Sequence, residues 1–198
     1  MAPIMPARLK PESLEDALAM NTLAPDAPAA QSTSHPIKSL GRYVDLGILG
    51  QGGMGEVRKV RDEILNRNLA MKIMNPRFIS SNNAITRFME EAQVGAQLQH
   101  ANIVPVHEFG RLPDGRYYFT MQEIKGRTLR ELIQNVHSGD SKDVGRTNWE
   151  GWNFRRLIDV FHKMCETMAY VHSRGVVHRD LKPQNIMIGE FGEVFVVD

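Results

Sequence analysis

The pattern of hydrophobic and polar positions changes character near residue 40. Residues 1–38 contain no aromatic residue and carry six of the chain's ten prolines among Ala, Ser and Thr. Such a segment has too few large apolar side chains to offset the entropy lost when it is ordered. We therefore predict a disordered leader over residues 1–38, with at most a brief helix over residues 13–20.

Strand patterns and one helical pattern follow up to residue 124. Short apolar runs bounded by turn residues predict five strands, at residues 43–49, 56–60, 68–74, 103–109 and 117–121. Residues 83–98 contain no proline and carry apolar residues at helical spacing. These are Ile85, Phe88, Met89, Ala92 and Ala96. The first part of the chain is thus predicted to be a small antiparallel sheet with one helix.

The second part of the chain is predicted to be mainly helical. Residues 129–136 form a short helix in this prediction, and residues 137–151 have the composition of a loop insertion, with Trp149 and Trp152 as packing anchors. Asn153 is placed to cap a long helix that ends at Gly175. Its apolar stripe is Phe154, Leu157, Ile158, Phe161, Met164, Cys165, Met168 and Ala169. We predict that Cys165, as part of this stripe, lies in the core.

A loop that presents polar side chains lies at residues 177–188, with the sequence V-H-R-D-L-K-P-Q-N-I-M-I. Pro183 prevents a helix from forming through its middle. Phosphoryl transfer uses a carboxylate that accepts a hydroxyl proton, an ammonium near the migrating group and an amide oxygen on a metal ion. Asp180, Lys182 and Asn185 fit these roles in that order. The alternative is a solvated turn in which the Asp and Asn side chains bond their own backbone.

A glycine-rich turn, G-Q-G-G-M-G-E-V at residues 50–57, is a second candidate site. Glycine lets a backbone approach a polyphosphate closely, and Val57 offers an apolar wall to a base. Dinucleotide-binding turns share this glycine spacing, but they open a helix at the last glycine. Here a strand pattern continues instead, which favours a strand, turn and strand around a nucleotide.

Lys72 interrupts an otherwise apolar strand. Burying an unpaired ammonium costs several kcal/mol, so this lysine needs an anionic partner unless it extends to solvent from an edge strand. The next predicted helix carries Glu90 and Glu91. Judged on the helix alone, both are typical surface charges.

Taken together, the run H-R-D-L-K-P-x-N, the G-x-G-x-x-G turn and the A-x-K strand resemble the signature set of protein kinases. The resemblance covers residues 42–198, and the loop sequences are most similar to eukaryotic-like serine/threonine kinases of bacteria. It implies an α+β fold. In that fold, a five-stranded antiparallel small lobe with one helix spans about residues 42–124, and the beginning of a helical large lobe spans about residues 125–198.

The resemblance also implies roles for individual residues. Asp180 would be the base and Lys182 would lie beside the γ-phosphate, while Asn185 and Asp198 would bind metal. The family pattern R-F-x-x-E-A selects Glu91, rather than Glu90, as the partner of Lys72. The residues implied to contact or position the nucleotide are Leu49, Gly50, Gln51, Gly52, Gly53, Met54, Gly55, Glu56, Val57, Ala70, Lys72, Glu91, Met121, Gln122, Ile124 and Met187. Among these, Met121 would be the gatekeeper, and the Gln122 carbonyl and Ile124 amide would bond adenine.

The implied chemistry is transfer of the γ-phosphate of ATP to Ser or Thr hydroxyls of protein substrates, with Mg²⁺ or alternatively Mn²⁺. Two other classes are an ATP-binding or protein-interaction module without catalysis, and a small-molecule phosphotransferase of related fold. The latter is disfavoured by the H-R-D-L-K-P run. An activation segment and later helices of a kinase would follow Asp198. We therefore expect the chain to be part of a longer kinase, weakly active or inactive and prone to association when isolated.

Charge and composition limit the kinds of partner and the compartment that we expect for the protein. A formal net charge of +1 gives no strong field for nucleic acid or an anionic membrane. The chain has a single cysteine, and its first residues lack the apolar stretch of a secretory signal, so we expect a cytoplasmic protein. No run is long enough to span a bilayer. Analogy with the family also implies a homodimer formed through the small lobe.

Overall fold

The computed structural model describes residues 40–138 and 151–198. The predicted leader, the brief helix within it, and most of the predicted loop insertion with Trp149 lie outside the described residues. Trp152 is described, and it packs against the large-lobe core as a partly buried side chain.

A five-stranded antiparallel sheet forms the small lobe, as the resemblance implies. Its strands are β1 (Tyr43–Gln51), β2 (Gly55–Asp62), β3 (Arg67–Met74), β4 (Val106–Arg111) and β5 (Tyr117–Gln122), in the order β1-β2-β3-β5-β4. The fourth strand begins later than the predicted residue 103. Pro105 has no N–H to donate to a ladder, and Ile103 instead bridges to Val196 in the other sheet.

The pairing register sorts the side chains of this sheet onto two faces. Val57 lies opposite Lys72, and Lys72 lies opposite Phe119. Two residues along, Lys59, Ala70 and Met121 form a second row on the same face. The opposite face carries a buried cluster. Its members are Leu40, Tyr43, Val60, Leu69, Met71, Ile73, Leu112 and Tyr118.

Helix α1 (Asn82–Gln97) covers the face of the sheet that carries Lys72. Ser81 begins it, because its side-chain oxygen accepts a hydrogen bond from the Ala84 amide. Phe88 and Ala92 pack with Met74 and Phe119 in a second buried cluster. Met89, which the periodicity also placed on the apolar stripe, is exposed.

The described part of the large lobe contains two α-helices, a short 3₁₀ helix at Pro183–Asn185 and a small sheet. The α-helices are α2 (Leu129–Ser138) and α3 (Phe154–Ser173), and the sheet has the order β6 (Gly126–Thr128), β7 (Ile186–Gly189) and β8 (Val194–Val196). Their core includes Leu132, Val160, Ile186 and Ile188. Strand β6 was not predicted, because three residues that begin with glycine give no periodic signal.

Helix α3 has a buried side and an exposed side, and of the eight residues of the predicted apolar stripe only Met168 is buried. Val160, Thr167, Met168 and Val171 are buried, and Thr167 satisfies its hydroxyl by donating to the Lys163 carbonyl at 2.7 Å. An exposed row stands at spacings typical of one helix face: Phe154, Ile158, Phe161 and Cys165. The prediction that Cys165 lies in the core is therefore wrong, because this residue belongs to the row that faces away from the large-lobe core.

The two lobes meet where the chain leaves α1. The side-chain amide of Asn102 donates to the Val194 carbonyl at 2.6 Å, and its backbone carbonyl accepts from the Val196 amide at 2.8 Å. Nearby, His100 stacks on Tyr170 of α3 at a centroid distance of 5.1 Å. Across both described ranges, no helix combines the length and apolarity needed to cross a bilayer.

Candidate active site

The glycine-rich turn connects β1 to β2 at the open end of the sheet. The Gly52 amide donates to the Gly55 carbonyl at 2.8 Å, which closes the turn. A Cβ on Gly55 would lie 2.0 Å from the Ile73 carbonyl oxygen, so only glycine lets β2 approach β3 at this point. The tip at Gly52 and Gly53 is exposed, so a ligand can approach it from solvent.

The sheet face behind this turn brings together four of the predicted nucleotide residues. Val57 and Lys72 share one row, and Ala70 and Met121 share the next. Ala70 is buried and its side chain is only a methyl group, whereas Val57 and Met121 are partly exposed. The result is an apolar surface with the Lys72 ammonium at its inner edge, which suits a nucleotide base and its phosphates.

Lys72 forms ion pairs with two carboxylates from different lobes. Its Nζ lies 2.7 Å from Glu91 Oε1 on α1 and 2.8 Å from Asp198 Oδ1 after β8. Burial alone lowers the pKa of Lys72, but Glu91 and Asp198 raise it by more, so the net pKa is raised. Glu91 is thus the carboxylate of α1 that pairs with Lys72, and Lys72 stays charged at neutral pH.

The loop between α3 and β7 gathers the predicted catalytic residues. Asp180 Oδ2 accepts from Lys182 Nζ at 2.7 Å and from the Asn185 side-chain amide at 3.2 Å. The same amide donates to the Asp180 carbonyl at 3.0 Å. Arg179 adopts a left-handed backbone with φ of 65°, a conformation that is costly for a non-glycine residue. The loop is thus held in a turn that presents the Asp180 carboxylate.

The electrostatics of this loop favour an ionised carboxylate. The hydrogen bond from Lys182 is the main cause that lowers the pKa of Asp180, and Asn185 and the charge of Lys182 act in the same direction. Asp180 is largely exposed. An exposed carboxylate that is ionised at neutral pH can accept a proton from an incoming hydroxyl group.

Oxygen atoms suited to binding a divalent ion lie beside this loop. The Val197 amide donates to the Asn185 carbonyl at 3.0 Å, which holds Asp198 next to Asn185. The side-chain nitrogen of Asn185 is occupied by Asp180, so its amide oxygen remains for a ligand. Residues 40–138 and 151–198 contain no group of three or more His, Cys, Asp or Glu suited to a metal. An ion held by Asn185 and Asp198 would take its other ligands from phosphate and water, which is typical of Mg²⁺.

The segment that connects the lobes contains an ion pair that sequence reasoning missed. Lys59 Nζ of β2 lies 2.6 Å from Glu123 Oε1, and the Glu123 side chain is almost buried. Glu123 lies between Gln122 and Ile124, the two residues predicted to bond adenine. Lys59 lies in a run of basic residues, R-K-V-R, so nothing in the sequence distinguished it from a surface lysine.

The other residues predicted to contact the nucleotide lie at several different places in the structure. Leu49, Gly50 and Gln51 end β1 beside the glycine turn. The side chain of Glu56 points to the opposite face of the sheet, where it lies 3.2 Å from Arg58 Nη1, so only its backbone faces the turn. Met187 lies between two buried residues of β7 and is itself partly exposed, which directs it away from the large-lobe core.

Comparisons with known proteins agree with this arrangement. The protein kinase domain family matches residues 43–198. The chain is 40% identical over 159 residues to the serine/threonine-protein kinase PknD of Chlamydia caviae, a match that covers 79% of this chain and 17% of the relative. It is 38% identical over 157 residues to PknD of Chlamydia pneumoniae, covering 79% of this chain and 16% of the relative. The chain thus spans about one sixth of the length of these curated relatives.

Proposed function

Since the chain belongs to the protein kinase family, we propose that the protein of which it is part transfers the γ-phosphate of ATP to Ser or Thr hydroxyls of protein substrates. One observation carries the proposal. The loop with Asp180, Lys182 and Asn185 is joined through Val197 to Asp198, and Asp198 shares Lys72 with Glu91. Groups suited to a base, a metal ion and a triphosphate thereby converge from both lobes.

The proposed division of labour follows from the charges. Asp180 orients the acceptor hydroxyl and takes its proton as the oxygen attacks the γ-phosphorus and the bond to the β-phosphate oxygen breaks. Lys182, at 2.7 Å from Asp180, stabilises the negative charge of the transferring group. Lys72 holds the α- and β-phosphates, and Glu91 fixes the position of Lys72.

Mg²⁺ is the proposed metal, with Mn²⁺ as an alternative of similar ligand preference. Asn185 and Asp198 would hold it, and when bound it would neutralise charge on the phosphates. Adenine would lie against Val57, Ala70 and Met121, with the Gln122 carbonyl and Ile124 amide as its backbone partners. We further propose a cytoplasmic catalytic domain and a homodimer as its assembled form.

Substitution of the proposed base tests this function. In the full-length protein, Asp180→Asn keeps the size and the hydrogen-bonding capacity of the side chain but removes its basicity. We expect turnover to fall by about a hundredfold or more, the usual contribution of a general base, while ATP binding is retained. The measurements are phosphate transfer from radiolabelled ATP to a generic protein substrate, and calorimetric titration with ATP and Mg²⁺.

Asp159→Asn, on the exposed surface of α3, provides the matched control and should leave turnover unchanged. A wild-type protein that binds ATP but transfers no phosphate would instead support a non-catalytic nucleotide-binding module. Unchanged turnover in Asp180→Asn would remove Asp180 from its proposed role.

A further inference from the structure

The tip of the glycine-rich turn is held from outside by the segment that follows β3. Arg77 Nη2 donates to the Gly53 carbonyl at 2.8 Å. The Asn75 amide donates to the Met54 carbonyl at 2.9 Å. Two consecutive carbonyls of the turn are therefore bonded to the same short segment of residues 75–77.

This segment is itself rigidly built. Residues Pro76–Phe78 form a 3₁₀ turn, and Asn75 caps it by accepting from the Arg77 amide at 3.1 Å. The Arg77 guanidinium lies over the Phe78 ring at 4.6 Å from its centroid. Phe78 packs in turn against the buried cluster that contains Phe88 of α1. Arg77 is exposed, and its guanidinium is oriented by the Phe78 ring, which packs on the helix side of the lobe.

The bond to the Gly53 carbonyl has a consequence for the next amide. In a planar trans peptide the C=O and the following N–H point in opposite directions. Fixing the Gly53 carbonyl toward Arg77 therefore points the Met54 N–H away from Arg77. A tip that contains Gly52 and Gly53 has many accessible backbone conformations, and a side-chain donor at one carbonyl removes much of that freedom.

We propose that Arg77 is a positioning residue for nucleotide binding. It holds the glycine-rich turn in the conformation in which the Met54 amide is available to the phosphates of ATP. Arg77 acts through the Gly53 carbonyl and not by touching the nucleotide. This inference rests on the proposed function, because it assigns the turn to ATP.

The test compares Arg77→Ala and Arg77→Lys with Arg61→Ala in the full-length protein. Arg61 lies on β2 away from the turn, where it bonds Asn66, and its removal controls for loss of a surface guanidinium. We expect Arg77→Ala to raise the KM for ATP by on the order of fivefold, as for loss of one charge-assisted hydrogen bond. The KM for the protein substrate should not change. Arg77→Lys should recover most of the loss, because an ammonium can still donate to the carbonyl.

Hydrogen exchange of the amides at residues 52–55, in the protein without nucleotide, provides a readout that is independent of catalysis. Exchange should be faster in Arg77→Ala than in the wild type and unchanged in Arg61→Ala. Wild-type exchange together with a wild-type KM for ATP in Arg77→Ala would overturn the proposal, as would an Arg77→Lys variant no better than Arg77→Ala. If the wild-type protein transfers no phosphate, the proposed function fails, and hydrogen exchange together with direct ATP binding still decides the role of Arg77.

Discussion

At the scale of single residues, buried charges are tolerated where several partners share them. Lys72 is satisfied by Glu91 and Asp198. On the opposite face of the sheet, Glu108 accepts from Tyr43 at 2.5 Å and from Tyr118 at 3.0 Å. Arg42 adds an ion pair to the same carboxylate at 2.6 Å. A carboxylate with several donors can be partly desolvated without a large penalty.

The Tyr118 hydroxyl makes stability sensitive to alkaline pH. Burial, and then the hydrogen bond to Glu108, raise the pKa of Tyr118 to about 12 from the ordinary 10.0. Because the unfolded tyrosine loses its proton first, the stabilisation from this group is complete below pH 10 and is lost as pH rises toward 12. We expect Tyr118→Phe to flatten that loss and to cost about 1 kcal/mol near neutral pH.

Melting temperatures measured from pH 7 to 12 check this prediction. Tyr117→Phe is the control, since it keeps the ring that stacks on Phe109 and leaves Glu108 with all its donors. Parallel alkaline profiles for the wild type and Tyr118→Phe would contradict the assignment.

How far single residues could be predicted depended on whether their role has a sequence signature. Asp180, Lys182 and Asn185 lie within a short loop, so their proximity could be inferred from the chain alone. The choice of Glu91 over Glu90 required the family pattern, because both lie mid-helix. Arg77 and Glu123 could not be found, since their partners depend on which strand faces which loop in three dimensions.

At the scale of elements, close backbone approach fixes the register of β2 on β3. We expect Gly55→Ala to destabilise the fold by about 2 kcal/mol or more, because its Cβ would meet the Ile73 carbonyl, which belongs to the rigid backbone. Gly53→Ala, in the same turn, has nothing within 4 Å of the added Cβ and should change stability by less than about 0.5 kcal/mol. Urea denaturation of the full-length variants measures both. Equal stabilities would show that β2 can shift away from β3 at little cost.

Element boundaries followed from the sequence wherever local signals were strong. Asn153 caps α3 as predicted, and α1 begins at Asn82, one residue before its predicted start. Strand β6 escaped prediction because its residues pair only after the chain returns at β7. Ile103 was assigned to β4 because its apolar character suits either sheet. Only the tertiary structure shows that it pairs with Val196.

At the scale of the whole molecule, the exposed row on α3 governs behaviour in solution. Phe154, Ile158 and Phe161 are between about half and three quarters exposed, and such adjacent apolar side chains promote association. We expect the 198-residue chain to associate with rising concentration, and Ile158→Ser combined with Phe161→Ser to reduce this. Light scattering after size exclusion measures it, with Arg155→Ser, also exposed on α3, as the control. A wild-type chain that stays monomeric at high concentration would contradict the expectation.

The two-lobed architecture could be predicted as a whole because the motifs occur in the order and spacing of the family. The side of α3 that becomes buried could not be predicted in the same way. Its residues are apolar on more than one side, and periodicity cannot tell which side meets the β7 and β8 strands. For this reason Cys165 was assigned to the wrong side, whereas Met168 was assigned correctly.

The two hydrogen bonds between Asn102 and β8 link the movements of α1 and β8. Asn102 follows the end of α1, which carries Glu91, and it holds Val194 and Val196 just before Asp198. Asn102 therefore connects the helix that carries Glu91 to the strand that precedes Asp198. A tilt of α1 that carried Glu91 away from Lys72 would also pull on the strand that delivers Asp198. We therefore expect the ion pairs of Lys72 with Glu91 and with Asp198 to be lost together when α1 tilts away from the sheet.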